Sequence, residues 1–282
     1  MSTESLSLAN VMYRAFKYSI YGLLTLNIFL FFQEESLAIQ QTFSQGMNLD
    51  DIIQGYAATI DTAAWVLLLL LFELTTSVFE PQTLARPSVR VSFSLIRAFS
   101  YGFIGYAFYG YFTKMLFING ISPFEVDAIC SLVGQDFSII DTLDQYPVLS
   151  MDNCGVLTDQ TLFQLNEQNI IGTADQWSAI HWLGLVDVIN SFTWIAVVIV
   201  LEVDIRLQQK NRFQGLVVSV SKNIKFVLYG ILLGAATYWG FLGDALDFWD
   251  SFLWLLAFFF IEINVFKVEK PSSLGQQFSQ FS

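Results

Sequence analysis

The sequence predicts an all-α integral membrane protein of six transmembrane helices, built as three two-helix hairpin repeats in a pseudo-threefold arrangement. Three observations carry that expectation. Of the 282 residues, 54% are hydrophobic and only 13% charged, against roughly 25% charged in an average soluble domain. Six apolar runs are long enough to cross about 30 Å of hydrocarbon, which takes roughly 20 residues. The basic residues sort to one side of those runs and the acidic residues to the other.

The spans fall near 12–33, 59–80, 95–118, 181–204, 224–243 and 250–268. Arg14 and Lys17 lie at the start of the first span, and Arg86, Arg90 and Arg97 between the second and third. Arg206, Lys210, Arg212, Lys222 and Lys225 follow the fourth, and Lys267 and Lys270 follow the sixth. The positive-inside rule assigns these segments, with both termini, to the cytoplasm. The connections near 34–58, 119–180 and 244–250 contain no Lys or Arg and carry acids such as Glu34, Glu35, Asp50, Asp127, Asp141 and Asp247, so they are expected in the periplasm or outside the cell. Lys114 is the exception, and its stem is long enough to snorkel. Residues 1–11 are expected as a cytoplasmic N-terminal segment, 12–270 as the membrane domain in the inner (plasma) membrane, and 271–282 as a flexible cytoplasmic tail. The first span shows no small-residue cleavage site and is expected to stay as an anchor.

The outer loop 119–180 holds both cysteines, Cys130 and Cys154. In the oxidising compartment that the orientation implies, they are expected to form a disulfide, which would help to order a loop too polar to make much core of its own. Spans three and five carry Gly102, Gly105, Gly110, Gly230, Gly234 and Gly240, which are expected to let helices pack closely.

One spacing recurs in the even spans: Asp61-x3-Trp65-x7-Glu73, Asn190-x3-Trp194-x7-Glu202 and Asp250-x3-Trp254-x7-Glu262. The odd spans repeat a base followed four positions later by Tyr-Gly: Lys17 with Tyr21, Arg97 with Tyr101 and Lys225 with Tyr229. The repeats run over about 11–80, 91–209 and 219–269, and they differ mainly in the length of the outer connection. Two-helix repeats keep one orientation in the membrane, so their axis runs along the membrane normal.

Depth gives the repeat its chemistry. At 1.5 Å per residue, Glu73 lies about 18 Å inward from Asp61, and Glu202 and Glu262 match it. A carboxylate at that depth needs a partner or a function. Two readings follow. Glu73, Glu202 and Glu262 form structural ion pairs with Lys17, Arg97 and Lys225, in a non-catalytic scaffold that binds partner proteins, lipids or a hydrophobic cofactor. Alternatively they line a proton or cation route in a transport or channel-like protein, with the acidic outer surface concentrating cations. Trp65, Trp194 and Trp254 read as an aromatic belt one turn inside the outer boundary, joined by Trp177, Trp182, Trp239 and Trp249. A stacked cofactor pocket is the other reading of the repeated tryptophans, and no cofactor is identified.

A net charge of −12 excludes a nucleic-acid backbone as partner, since such binding needs a basic face. The partners that remain are the bilayer and, through the aromatic-rich spans, other proteins or further copies of the chain. Two cysteines and one histidine cannot supply a four-ligand Cys/His zinc site or bis-histidine haem ligation. With no nucleophile elbow, phosphate loop or metalloprotease helix, no enzyme is expected. His181 reads as an interfacial residue, and Asp244, Asp247 and Asp250 as an acidic hairpin tip.

Overall fold

The structure is a computed structural model that describes residues 3–42, 52, 55–84, 86–143, 145–158, 160–165, 168–209, 212–242 and 245–268, without the side chains of 3–10, 41–42, 76–77, 81, 84, 205, 208–209 and 261–268. The expected tail 271–282 lies outside the described residues. The chain is mostly helical. Six long helices are α1 (Thr3–Thr42), α2 (Ala57–Glu73), α3 (Pro87–Phe117), α4 (Ala174–Gln209), α5 (Leu216–Leu242) and α6 (Ala245–Val268). Among the described residues, three segments are long and apolar enough to cross a membrane: Val11–Gln40 in α1, Ala174–Asp204 in α4 and Leu216–Leu242 in α5. The α-helical part of α2 stops after 17 residues, where a π-helical turn, Leu74–Val78, takes over.

Local chemistry sets several helix ends. Glu35, buried on α1, accepts from the backbone N–H groups of Ala58 and Thr59 at 2.8 and 3.0 Å and from the Thr59 hydroxyl at 2.6 Å. It thereby satisfies donors that the first turn of α2 cannot pair internally. Pro87 stands at the start of α3, where its missing N–H costs nothing. Thr173 and Gln176 form a reciprocal capping box at the head of α4: Thr173 N donates to Gln176 Oε1 at 2.9 Å and Gln176 N to Thr173 Oγ1 at 3.3 Å.

Each helix packs on the next in chain order, and α6 returns to α1, which closes a six-membered ring. The ring's core is drawn from inward faces and includes Leu24, Trp65, Leu69, Ile104, Trp194, Val197, Leu232, Trp254 and Ala257. Four of the six glycines do not mediate this packing as expected. A Cβ at Gly102, Gly105, Gly230 or Gly234 would meet nothing within 4 Å, because these residues sit on faces turned away from neighbouring helices. Gly240 does approach another helix, with Phe248 at 3.1 Å from its would-be Cβ, and Gly110 is buried.

The segment between α3 and α4 departs from the all-α expectation. It forms a four-stranded sheet of order β1-β3-β4-β2, with β1 Ile121–Phe124, β2 Ser138–Ile139, β3 Leu162–Leu165 and β4 Ile170–Thr173. β3 pairs antiparallel with both β1 and β4, and β2 pairs parallel with β4. Nor is the segment short of core. Ile129, Ile139, Leu149, Leu157, Leu162 and Ile171 cluster around Cys154, and the expected Cys130–Cys154 disulfide is formed there. A second cluster, including Ile140, Leu165, Ile170, Trp177, Ala235 and Trp239, seats the sheet on α4 and α5. Gly172 in β4 is required at that junction, since a Cβ would lie 2.5 Å from Ile140 Cγ2. Gln145 Nε2 donates to Glu34 Oε1 at 2.9 Å and ties the segment to α1 as well.

Candidate functional site

Two polar layers occupy the helical ring, one near the sheet and one near the opposite end. At the far end, Lys17 Nζ lies 2.7 Å from Glu73 Oε1 with both side chains buried, and Tyr18 donates to the same oxygen at 3.0 Å. The Lys17 ammonium also sits 5.8 Å from the centroid of the buried Tyr21 ring. Arg97 and Glu202 approach to 4.0 Å in a more exposed position, where Tyr101 donates to Glu202 at 3.1 Å.

The third repeated base has a described partner outside the repeat. Lys225 Nζ lies 3.3 Å from Asp204 Oδ2, an oxygen that also accepts from Ser221 at 2.6 Å. Asp204 is buried between α4 and α5. The side chain of Glu262 lies outside the described residues. Tyr229 packs, partly buried, against the ring's core.

Eight residues before Glu73, about 12 Å along the helix, the repeated tryptophans meet. Ring centroids are 6.1 Å apart for Trp65 and Trp194, 6.2 Å for Trp65 and Trp254, and 6.5 Å for Trp194 and Trp254. Phe258 fills in beside them, 4.6 Å from Trp194. This corrects the belt reading. The three indoles are only 6–7% exposed, because they share a helix face with the polar residue four positions earlier, and that face turns inward. Trp177 and Trp239 are buried too, whereas Trp182 and Trp249 are 54% and 39% exposed and fit a girdle.

On the sheet side of the indoles lies a partly open cavity of about 40 Å³, room for a few water-sized groups at roughly 10–15 Å³ each. Asp61, Asp187, Asn190, Asp247 and Asp250 line it, with Thr62 and Ser251 beside them and the three tryptophans and Phe258 below. The wall is completed by Phe31, Tyr111 and Trp239. Among the described residues no Lys, Arg or His lines it. Asp250 Oδ1 accepts from Asn27 Nδ2 at 2.7 Å, while Asp61 Oδ1, Asn190 Oδ1 and Trp239 Nε1 are buried without a hydrogen-bond partner. Asp247 and Asp250 therefore belong to a cavity wall rather than to a hairpin tip, and Asp244 lies outside the described residues. His181 is on the rim side of α4, where Nδ1 is 2.9 Å from Asn119 Oδ1.

Carboxylates in a half-buried site are stabilised by hydrogen bonds, by protonation or by compensating positive charge. The far layer has that charge built in, as Lys17, Arg97 and Lys225. The cavity lining holds no Lys, Arg or His among the described residues.

Several of these residues were legible in the sequence but missed. Phe31, Tyr111 and Trp239 each stand fourteen positions beyond Lys17, Arg97 and Lys225, a common offset hidden by three different aromatic identities. Thr62, Ser191 and Ser251 each follow the repeated Asp or Asn. Asp187 and Asp247 each precede it by three. Asp204 had no repeat partner to mark it.

Comparison with protein-family models, curated proteins and solved structures finds no match to this chain.

Proposed function

We propose that this membrane protein binds a small cation in the cavity around Asp61 and Asp250 and is of a transport or channel-like class. The observation that carries the reading is the acidic, base-free lining of that cavity above three packed indoles. The tryptophan layer is the closed point of the route. Glu73 and Glu202 serve as structural ion-pair partners rather than as its lining, in keeping with their contacts to Lys17 and Arg97.

In the same reading all six helices span the inner membrane as three hairpin repeats about a pseudo-threefold axis, with the termini cytoplasmic and the sheet outside. The closed ring in chain order supports this. So does the derivation of the indole trio from one repeated position, and so does the segregation of Lys and Arg. The role is not enzymatic.

The test is a flux assay in proteoliposomes. Cation-dependent flux that is lost when Asp61→Asn and Asp250→Asn are combined is the expected result. Flux unchanged by that pair would remove the cavity from the route, and no flux for any cation tried would favour the scaffold reading. That second reading draws on the buried Lys17–Glu73 pair, whose geometry suits a static framework.

A further inference from the structure

Resting on the reading of the cavity as a cation site, we propose that its ligand is a small primary ammonium ion rather than a bare metal ion. Hard metal ions need several oxygen ligands converging at roughly 2.0–2.6 Å. Among the described residues, no group of three or more His, Cys, Asp or Glu side chains is placed to hold one. Apart from Asn190, Thr62 and Ser251 the rest of the wall is aromatic, with Trp65, Trp194, Trp254, Trp239 and Tyr111 lining the same space. Ring quadrupoles favour a weakly hydrated organic cation within about 6 Å of their faces, and they offer a metal ion no ligand.

The polar groups point the same way. Asp61 Oδ1 on α2 and Asn190 Oδ1 on α4 are buried acceptors without partners, and the Asp250 carboxylate on α6 lines the same cavity. An alkylammonium group carries three N–H donors and no acceptor. Three acceptor-bearing residues from three helices match that donor count. A quaternary ammonium would satisfy the rings but none of the oxygens. Neutral donors already serve the two carboxylates, Asn27 and Trp254 at Asp250 and Trp65 at Asp61, so what an ammonium adds above all is charge. The cavity of about 40 Å³ suits a headgroup of a few heavy atoms, with the open side left for a longer substituent.

Calorimetric titration of the full chain in lipid nanodiscs tests this, with methylammonium, tetramethylammonium, sodium, calcium and methanol compared at constant ionic strength. Methylammonium should bind, tetramethylammonium should bind at least about tenfold more weakly for want of N–H donors, and methanol should not bind. Asp61→Asn should weaken methylammonium about ten- to a hundredfold, the scale of one charge-assisted hydrogen bond. Trp65→Phe, which keeps a ring, should cost less. Equal binding of tetramethylammonium, or binding of sodium or calcium without methylammonium, would overturn the ammonium assignment and leave the cation site standing. Binding of no cation would overturn both. The ligand series is run on the unaltered chain, so it decides the matter even where a variant fails to fold.

Discussion

Lys17 on α1 and Glu73 at the end of α2 form a 2.7 Å ion pair, and each residue is about 5% exposed or less. Taking one partner away leaves the other charge buried, which costs about 3–5 kcal/mol. Glu73→Gln should therefore lower thermal stability in detergent sharply, and a double change of Lys17→Met with Glu73→Leu should recover much of the loss. Glu202→Gln, acting on a longer and more exposed pair, should cost less than about 1 kcal/mol. Equal losses for the two single variants would contradict this ranking.

Glu35 reaches from α1 to cap the first turn of α2. Glu35→Ala should destabilise by about 1–2 kcal/mol, the usual scale for losing such a cap. Amide exchange resolved by segment should speed up at Ala58 and Thr59 first. Uniform protection of those two amides in the variant would mean that another group caps the helix.

The disulfide joins residues 24 apart in sequence. Closing a loop of that size stabilises by about 3.5 kcal/mol in the chain-entropy model. Cys130→Ser with Cys154→Ser should lower the unfolding temperature of the sheet segment while the α1–α6 ring keeps its helical circular dichroism. Mass mapping of the unreduced protein should recover the linked peptides. Recovery of two alkylated thiols would reject the bridge.

The orientation follows from the basic residues and is checked by labelling. A single cysteine at Ser88 should be shielded from an impermeant reagent in intact cells, and one at Ser131, exposed beside the disulfide, should react. Labelling of Ser88 from outside would reverse the topology.

What could be read in the sequence was depth; what could not was direction. Helix rise places Glu73 level with Lys17 from hydropathy alone, and the pair is there. Depth says nothing about which way a side chain faces around its helix. Depth alone therefore puts Trp65, Trp194 and Trp254 at the lipid boundary, although the face they share with Asp61, Asn190 and Asp250 turns inward. The Lys225–Asp204 contact joins consecutive helices, but Asp204 stands outside the repeated spacing, so no recurrence marks it. The sheet escaped because its strands are two to four residues long, too short for an alternating pattern to stand out. Its apolar residues were diluted by the acids around them. The odd-helix aromatics were visible as an offset but not as a residue type.

In the proposed function the cavity above the indole trio takes up a cation through Asp61 and Asp250. Trp65, Trp194 and Trp254 line that cavity, so their fluorescence reports on it directly. The decisive measurement is a fluorescence titration of the protein in nanodiscs with methylammonium and with inorganic cations at fixed ionic strength, repeated on the Asp61→Asn, Asp250→Asn variant. A saturable change is expected in the unaltered protein, one that disappears in the variant while the circular dichroism stays the same. A flat titration for every cation, or an identical response in the folded variant, would contradict it.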